Sequence, residues 1–190
     1  MLRILVVYSS SEGQTEKVAH HVARQIENKG HVARLVSAHQ SDDLAVLGDF
    51  DAAIVAGGLH MGAHGPALAA FISEYATALN AVPSAFLSVS LSAASDDPAE
   101  VAGALEAIKD FEIATGWTPR RTQLVAGAVH DRQLGFFKRF VVHTLMRRKG
   151  VEPDPSGNTE LTKWPALDRF IGDFMTLVET RATGRTANNS

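Results

Sequence analysis

Five short, nearly continuous apolar runs alternate with stretches of helical periodicity, and that alternation restricts the chain to very few architectures. The runs are Leu2–Tyr8, His31–Ser37, Ala52–Ala56, Ser84–Ser90 and Thr122–Val129. A strand that is apolar at successive residues, rather than at every second one, needs cover on both faces, which a parallel sheet between two helical layers provides. Gln14–Asn28 carries Val18, Ala19, Val22, Ala23 and Ile26 at helical spacing, with Gly30 placed as a C-terminal glycine. Pro66 opens a second helix, Ala67–Leu79, with Leu68, Phe71, Ile72 and Tyr75 on one stripe. Asp97-Pro98 opens a third helix running through Thr115, and Trp164–Leu177 is a closing amphipathic helix. Right-handed crossovers then give an α/β three-layer sandwich with a five-stranded parallel sheet. Periodicity does not dictate the strand order; 2-1-3-4-5 is one of two common doubly wound orders, and ligands in such sheets bind beyond the carboxyl ends of the strands where the order reverses.

The 190 residues, 45% of them apolar, suffice for one domain with its own core, expected over 1–179, with a frayed polar tail over 180–190. The absence of cysteine excludes disulfides, a thiolate nucleophile and any cysteine-ligated metal or iron–sulfur centre. Histidines 20, 21, 31, 39, 60, 64, 130 and 143 form no zinc-ligand pattern, so no metal is expected. A net charge of -3 gives no general attraction to nucleic acid. The apolar start, Met1–Ser9, is too short for a signal peptide, and no run approaches the roughly 18–20 apolar residues that span a bilayer; a cytoplasmic protein is the expectation.

The loops that such a sheet directs at a ligand are Ser9–Thr15, Gly57–Gly65 and Ser88–Asp96. In the first, Ser9, Ser10, Ser11, Glu12, Gly13, Gln14 and Thr15 join a buried strand to a helix start, so hydroxyls, backbone N–H groups and the helix dipole converge on one point. The loop has neither the lysine of a Walker loop nor a G-x-G-x-x-G pattern, which favours a phosphomonoester held by neutral donors over a triphosphate or pyrophosphate. Serines that only cap the helix around a tight glycine turn are the plainer alternative. In the other loops, Gly58 and Gly62 let backbone approach a ligand, while Leu59, His60 and Met61 supply surface to cover a ring. No serine lies in a G-x-S-x-G elbow, and the acidic residues of a phospho-receiver are missing after the first and third strands.

The first loop resembles that of the flavodoxin family, which reads roughly T/S-x-T/S-x-G-x-T after an apolar strand; Ser9, Ser11, Gly13 and Thr15 match in order. The resemblance implies a flavodoxin-like fold with one FMN, its phosphate wrapped by Ser10–Thr15. Its ring would lie between Gly58, Leu59, His60, Met61 and Gly62 on one side and Ser88, Val89, Ser90, Leu91 and Ser92 on the other, with Phe86 on the strand leading in. Pro83–Leu91, Trp117-Thr118-Pro119, Val125–Ala128 and Thr162-Lys163-Trp164 further resemble the menaquinone-dependent protoporphyrinogen dehydrogenase branch, in order and over Leu2 to about Glu179. That branch implies oxidation of protoporphyrinogen IX, with electrons passed to a membrane quinone. Leu59, His60 and Met61 stand where the branch carries an arginine and an aromatic residue, and Ser90 replaces an asparagine.

An insert over 130–160, before the last helix, exceeds an ordinary α/β connection. Phe136, Phe137, Phe140, Val141, Thr144 and Leu145 share one helical face there, beside Lys138, Arg139, Arg147, Arg148 and Lys149. A basic amphipathic segment over 136–149 suits the inner face of the cell membrane, a porphyrin propionate or a partner protein, or it packs on its own domain. His60, His130 and His143 are candidate proton acceptors, with His60 the weak catalytic candidate near the ring. Two other readings stand beside the dehydrogenase: an FMN-binding flavodoxin or quinone reductase without porphyrin activity, and a cofactor-free interaction module.

Overall fold

The computed structural model describes residues 1–40, 50–130 and 158–187. Segment 136–149 and His143 lie outside the described residues. The elements are β1 (Arg3–Ser9), α1 (Gln14–Asn28), β2 (Val32–Ser37), β3 (Ala52–His60), β4 (Ala63–His64), α2 (Pro66–Ala81), β5 (Ser84–Ser90), α3 (Pro98–Thr115), β6 (Arg121–Ala126), β7 (Ala128–His130), β8 (Asn158–Glu160) and α4 (Trp164–Ala187). A single 3₁₀ turn covers Ser92–Ala94.

The main sheet has the order β2-β1-β3-β5-β6, all parallel, which is 2-1-3-4-5 once the short antiparallel β4 is set aside. Successive residues of β1 feed opposite layers. Ile4 and Val6 join Val18, Val22 and Ile26 of α1 and Ile171 and Phe174 of α4, whereas Leu5 and Val7 join Leu68, Phe71 and Ile72 of α2 and Phe111 of α3. Two buried faces explain why the strands read as continuous apolar runs. Central β5 is buried at every residue, while edge strand β2 is only half-buried. Sequence signals for helix ends hold: Asp97 accepts from the Ala99 N–H at the start of α3, and Gly30 and Gly116 take left-handed φ of 80° and 69° after α1 and α3.

Three elements depart from the periodicity. β3 continues through Gly57–His60 instead of stopping at Ala56, because Leu59 and His60 find new partners in the returning Ala63–His64. Only Met61 (φ 50°) and Gly62 (φ 80°) form the hairpin tip, so the expected open loop is a tight two-residue turn of the kind that requires positive φ at both positions. The run Thr122–Val129 is not one strand. It breaks at Gly127, whose N–H donates to the Ser90 carbonyl, and Ala128–His130 leaves the sheet to pair with Asn158–Glu160. The closing helix runs past Leu177 to Ala187, so the tail expected to fray from 180 is helical for two further turns; the Thr176, Thr180 and Thr183 hydroxyls donate to carbonyls four residues back along it.

Candidate functional site

At the carboxyl ends of β1, β3 and β5 lies a cleft of about 720 Å³, within the ~300–1,000 Å³ range of small-molecule sites. Ser10, Glu12, Gln14 and Thr15 line one part, Leu59 to Gly62 the hairpin wall, and Val89 to Ser92 the opposite wall. Twelve of the sequence-selected residues therefore meet in one cavity. Glu100, Gly103 and Ala104 of α3, with Gly127 and Ala128, complete it, and sequence reasoning missed all five. The first three sit at i, i+3 and i+4 of one helix face, a spacing that any ordinary helix presents.

The first loop is shaped before any ligand arrives. The Gly13 N–H donates to Ser10 Oγ (2.9 Å), Gly13 holds φ 87°, and no side chain caps the start of α1. The N–H groups of that first turn are thus left for an anion. Ser11 Oγ lies 3.1 Å from His60 Nε2, tying the loop to the hairpin. Gln14 is fixed from the far end of the chain: its Nε2 donates to Glu160 Oε1 and Thr162 Oγ1, both at 2.8 Å, and Thr162 Oγ1 donates to the Ala126 carbonyl. Lys17 Nζ donates to Glu160 Oε2 at 2.8 Å and sits over the Trp164 ring. Burial pushes the Glu160 carboxyl upward, but hydrogen bonds from Lys17 and Gln14 and the charge of Lys17 outweigh it, so the carboxyl is held below its ordinary range. The Thr162-Lys163-Trp164 motif, with Glu160, therefore buttresses the start of α1 and the loop before it from outside the cavity.

Gly58 is held tightly. A Cβ there would lie 3.2 Å from His60 Nε2 and 3.3 Å from Thr15 Oγ1, so a side chain would close the space between the loop and the hairpin. Its carbonyl accepts from His64 Nδ1 at 3.2 Å. His64 itself is buried against Phe86 and Phe111, and burial, first, with nearby His60 after it, drives its pKa down to about 4 despite the Gly58 carbonyl. A histidine neutral when folded and basic when unfolded contributes stability above pH 6.5 that is lost as pH falls toward 4. Between those limits the wild type is expected to lose about 3 kcal/mol more than His64→Phe. Denaturant titrations of both proteins at pH 7.5 and pH 4 measure this, and parallel losses would refute it.

Besides Gly13 and Gly58, four selected residues are not among those that line the cavity. Phe86 is wholly buried in the α2/α3 layer, stacked on Phe111, which corrects its expected place at the ligand; it stands in the body of β5, which both helical layers cover, while only the carboxyl end of the strand reaches the cleft. Ser88, two residues on, is buried on the same face, with no hydrogen-bond partner for its hydroxyl among the described residues. Ser9 turns its hydroxyl to His39 Nε2 at 3.1 Å. Ser11 is exposed beside the cleft. No group of histidine and acidic residues that could hold a metal ion occurs among the described residues.

The cleft suits a phosphomonoester joined to a flat, partly apolar ring system. Neutral donors converge at one end, no lysine or arginine is among the described lining residues, and Leu59, Met61 and Leu91 offer apolar cover; Met61 is fully exposed and Leu91 is 44% exposed. A sheet ordered 2-1-3-4-5 with such a loop after its first strand and a ring slot beyond the third and fourth in that order defines a flavodoxin-like FMN protein. The chain belongs to the flavodoxin domain family, whose model matches residues 5–156.

Among curated proteins, it is 27% identical over 175 residues to a protoporphyrinogen IX dehydrogenase [quinone] of Leishmania major, covering 92% of this chain and 75% of that protein. A protein of the same name from Escherichia coli K12 is 25% identical over 178 residues, covering 94% and 97% of the two chains. Among solved structures, a short-chain flavodoxin associated with a bacterial microcompartment superposes with a TM-score of 0.58 at 15% identity, covering 94% of this chain and 99% of that one. A flavodoxin of Fusobacterium nucleatum bound to flavin mononucleotide gives 0.51 at 10% identity, covering 95% and 99%.

Proposed function

We propose that the protein holds one FMN in this cleft and uses it to oxidise protoporphyrinogen IX to protoporphyrin IX, passing the electrons to a membrane quinone. The observation that carries the reading is the meeting of the neutral-donor loop Ser10–Thr15 with the apolar-rimmed hairpin in one cavity, in a chain similar over nearly its whole length to dehydrogenases of that name. Ser10, Thr15, Gln14 and the first N–H groups of α1 hold the phosphate; Leu59 to Gly62 and Val89 to Ser92 bracket the ring. FMN, when bound, supplies the two-electron redox chemistry, and the protein supplies binding, orientation and exclusion of water. His60, at the hairpin and in contact with Ser11, is the residue placed to receive a proton beside the ring.

Among the described residues the lining offers the substrate's propionates no lysine or arginine, so the basic residues Lys138, Arg139, Arg147, Arg148 and Lys149 are the source this reading requires. The same composition supports a peripheral site on the inner face of the cell membrane. No helix of the described residues is long and apolar enough to cross a bilayer. The lack of a lysine or arginine among the described lining residues also favours a second reading, an FMN flavodoxin or quinone reductase with another donor.

The deciding experiment loads the purified protein with FMN, desalts it and records the visible spectrum, then adds protoporphyrinogen IX anaerobically with a quinone. Flavin bleaching, growth of porphyrin fluorescence and quinone-dependent turnover are expected. Flavin that binds but is not reduced by the porphyrinogen moves the protein to the second reading, and failure to bind flavin removes both.

A further inference from the structure

The hairpin wall of the cleft reaches the core through one side chain. Of the residues from Leu59 to His64 only His64 is buried, and Met61 at the tip is fully exposed. His64 stands at the base of the turn: β3 makes its last parallel pair at Gly58, opposite Val89, and the returning His64 pairs with the next residue, Leu59. The His64 ring lies over Gly57, where a Cβ would stand 3.1 Å from Nδ1, and it packs on Phe86 and Phe111 at 4.9 and 5.0 Å between centroids. Nδ1 meets the Gly58 carbonyl at 3.2 Å. A carbonyl oxygen only accepts, so the ring proton is on Nδ1, and in the neutral imidazole Nε2 is left as a bare acceptor. That Nε2 is buried without a hydrogen-bond partner among the described residues, and so is one other side-chain atom, Ser88 Oγ. Ser88 is the cross-strand neighbour of Gly57, on the face that Phe86 shares, and its hydroxyl is a donor. The two orphaned atoms are therefore complementary, and they stand on the same side of the sheet, one strand apart.

We propose that His64 is the positioning residue of the hairpin wall: it holds the Gly58 carbonyl at the base of the turn, and the Ser88 hydroxyl, donating to Nε2 through one buried water, keeps the ring in the tautomer that does so. The inference rests on the FMN reading and adds to it what sets the wall that covers the flavin ring. Buried polar groups without a partner cost stability, and a bridging water satisfies a donor and an acceptor that stand too far apart to meet. Burial also keeps the His64 ring neutral, with a pKa lowered to about 4, as an accepting Nε2 requires. Fixing Gly58 fixes the start of the wall, because Leu59 follows it directly and no side chain from Leu59 to Ala63 is buried. A wall set in place before the ligand arrives spares binding the entropy of ordering it.

Two substitutions at His64 separate this role from packing. His64→Phe keeps a ring against Phe86 and Phe111 and removes the orphaned Nε2; Gly58 is only half-buried, so its freed carbonyl turns to water. Its denaturant midpoint at neutral pH should equal or exceed that of the wild type. Kd for FMN and for riboflavin should nonetheless both rise about 10-fold, since the ring and not the phosphate loses its wall. His64→Asn puts an amide N–H where Nδ1–H stood but leaves the ring's space empty, so it should be less stable than the wild type yet bind both flavins within about threefold of it. Affinities that follow stability across the three proteins, or flavin binding indifferent to His64→Phe, overturn the proposal. The anchor itself is read on the apoprotein by nitrogen NMR of isotope-labelled histidine, with His64 assigned by its loss in His64→Phe. A protonated Nδ1 and an unprotonated Nε2 are expected, and in Ser88→Ala the Nε2 signal should move toward that of a nitrogen free of hydrogen bonds. A proton on Nε2, or an Nε2 signal unaffected by Ser88→Ala, overturns the proposal as well. Wild-type protein that takes up neither flavin refutes the cofactor reading, and with it the role at the ring, whatever the nitrogen signals show.

Discussion

Ser10→Asp is expected to weaken FMN binding on the order of 100-fold while leaving riboflavin binding within about twofold of the wild type. Ser10 lines the cleft, and its Oγ accepts from the Gly13 N–H at 2.9 Å. An aspartate oxygen can accept the same bond, so the turn keeps its shape and the change is one of charge. A full negative charge beside a phosphate dianion, with no lysine or arginine among the described residues that line the cleft, costs about 3 kcal/mol at the dielectric of a partly shielded site. Riboflavin lacks the phosphate and so serves as the internal control. Fluorescence titration of the apoprotein with each flavin gives both constants. Equal losses for the two flavins would mean that the loop had collapsed, and no loss for FMN would mean that its phosphate lies elsewhere.

Trp117→Ala is expected to be the most destabilising of the single substitutions considered, at about 3–5 kcal/mol, lowering Tm on the order of 10 °C. Trp117 is fully buried, its Nε1–H donates to Ser84 Oγ at 3.0 Å, and its ring stands edge-on to Phe86 at 5.4 Å between centroids. Phe86 in turn stacks on Phe111 and touches His64, so a continuous set of rings runs from Trp117 to the underside of Gly57 and Gly58. Truncation leaves both a cavity and an unpaired Ser84 hydroxyl in the core. Trp117→Phe keeps most of the volume and should cost only about 1–2 kcal/mol, from the orphaned hydroxyl. Denaturant unfolding of the apoproteins avoids the stabilisation that bound flavin adds. Equal costs for the two variants would show that the hydrogen bond, and not the ring packing, carries the residue's contribution.

The shape of the Ser10–Thr15 loop was legible in the sequence because its geometry is local. Ser10, Gly13 and Thr15 lie within a few residues of a strand end and a helix start, and the turn between them is closed by a bond spanning three residues. The hairpin was legible only as a loop of the right composition. Its tight form depends on Leu59 and His60 losing their parallel neighbours and pairing with Ala63 and His64, and its tip places Met61 in a left-handed conformation that no propensity favours. Phe86 illustrates the opposite error. It lies in a motif that bears on the site, yet it sits in the middle of a strand covered on both faces, four residues short of Ser90, where the end of the strand reaches the cleft.

Hydrophobic periodicity, glycines at helix ends and the hydroxyl-rich turn after the first strand determined the fold class, the number of main strands and the loop of neutral donors at the end of β1, because each of these acts over fewer than about four residues or one helical face. Only the tertiary structure decided that Gly127 ends β6 and sends the chain into a separate ribbon. It alone brought Glu160 and Thr162 to Gln14 across almost the whole chain, and it alone set Glu100, Gly103 and Ala104 of α3 against the cleft. Those contacts join residues far apart in sequence, whose local patterns are those of an ordinary strand, loop and helix, so packing of the layers had to be known before their role could be read.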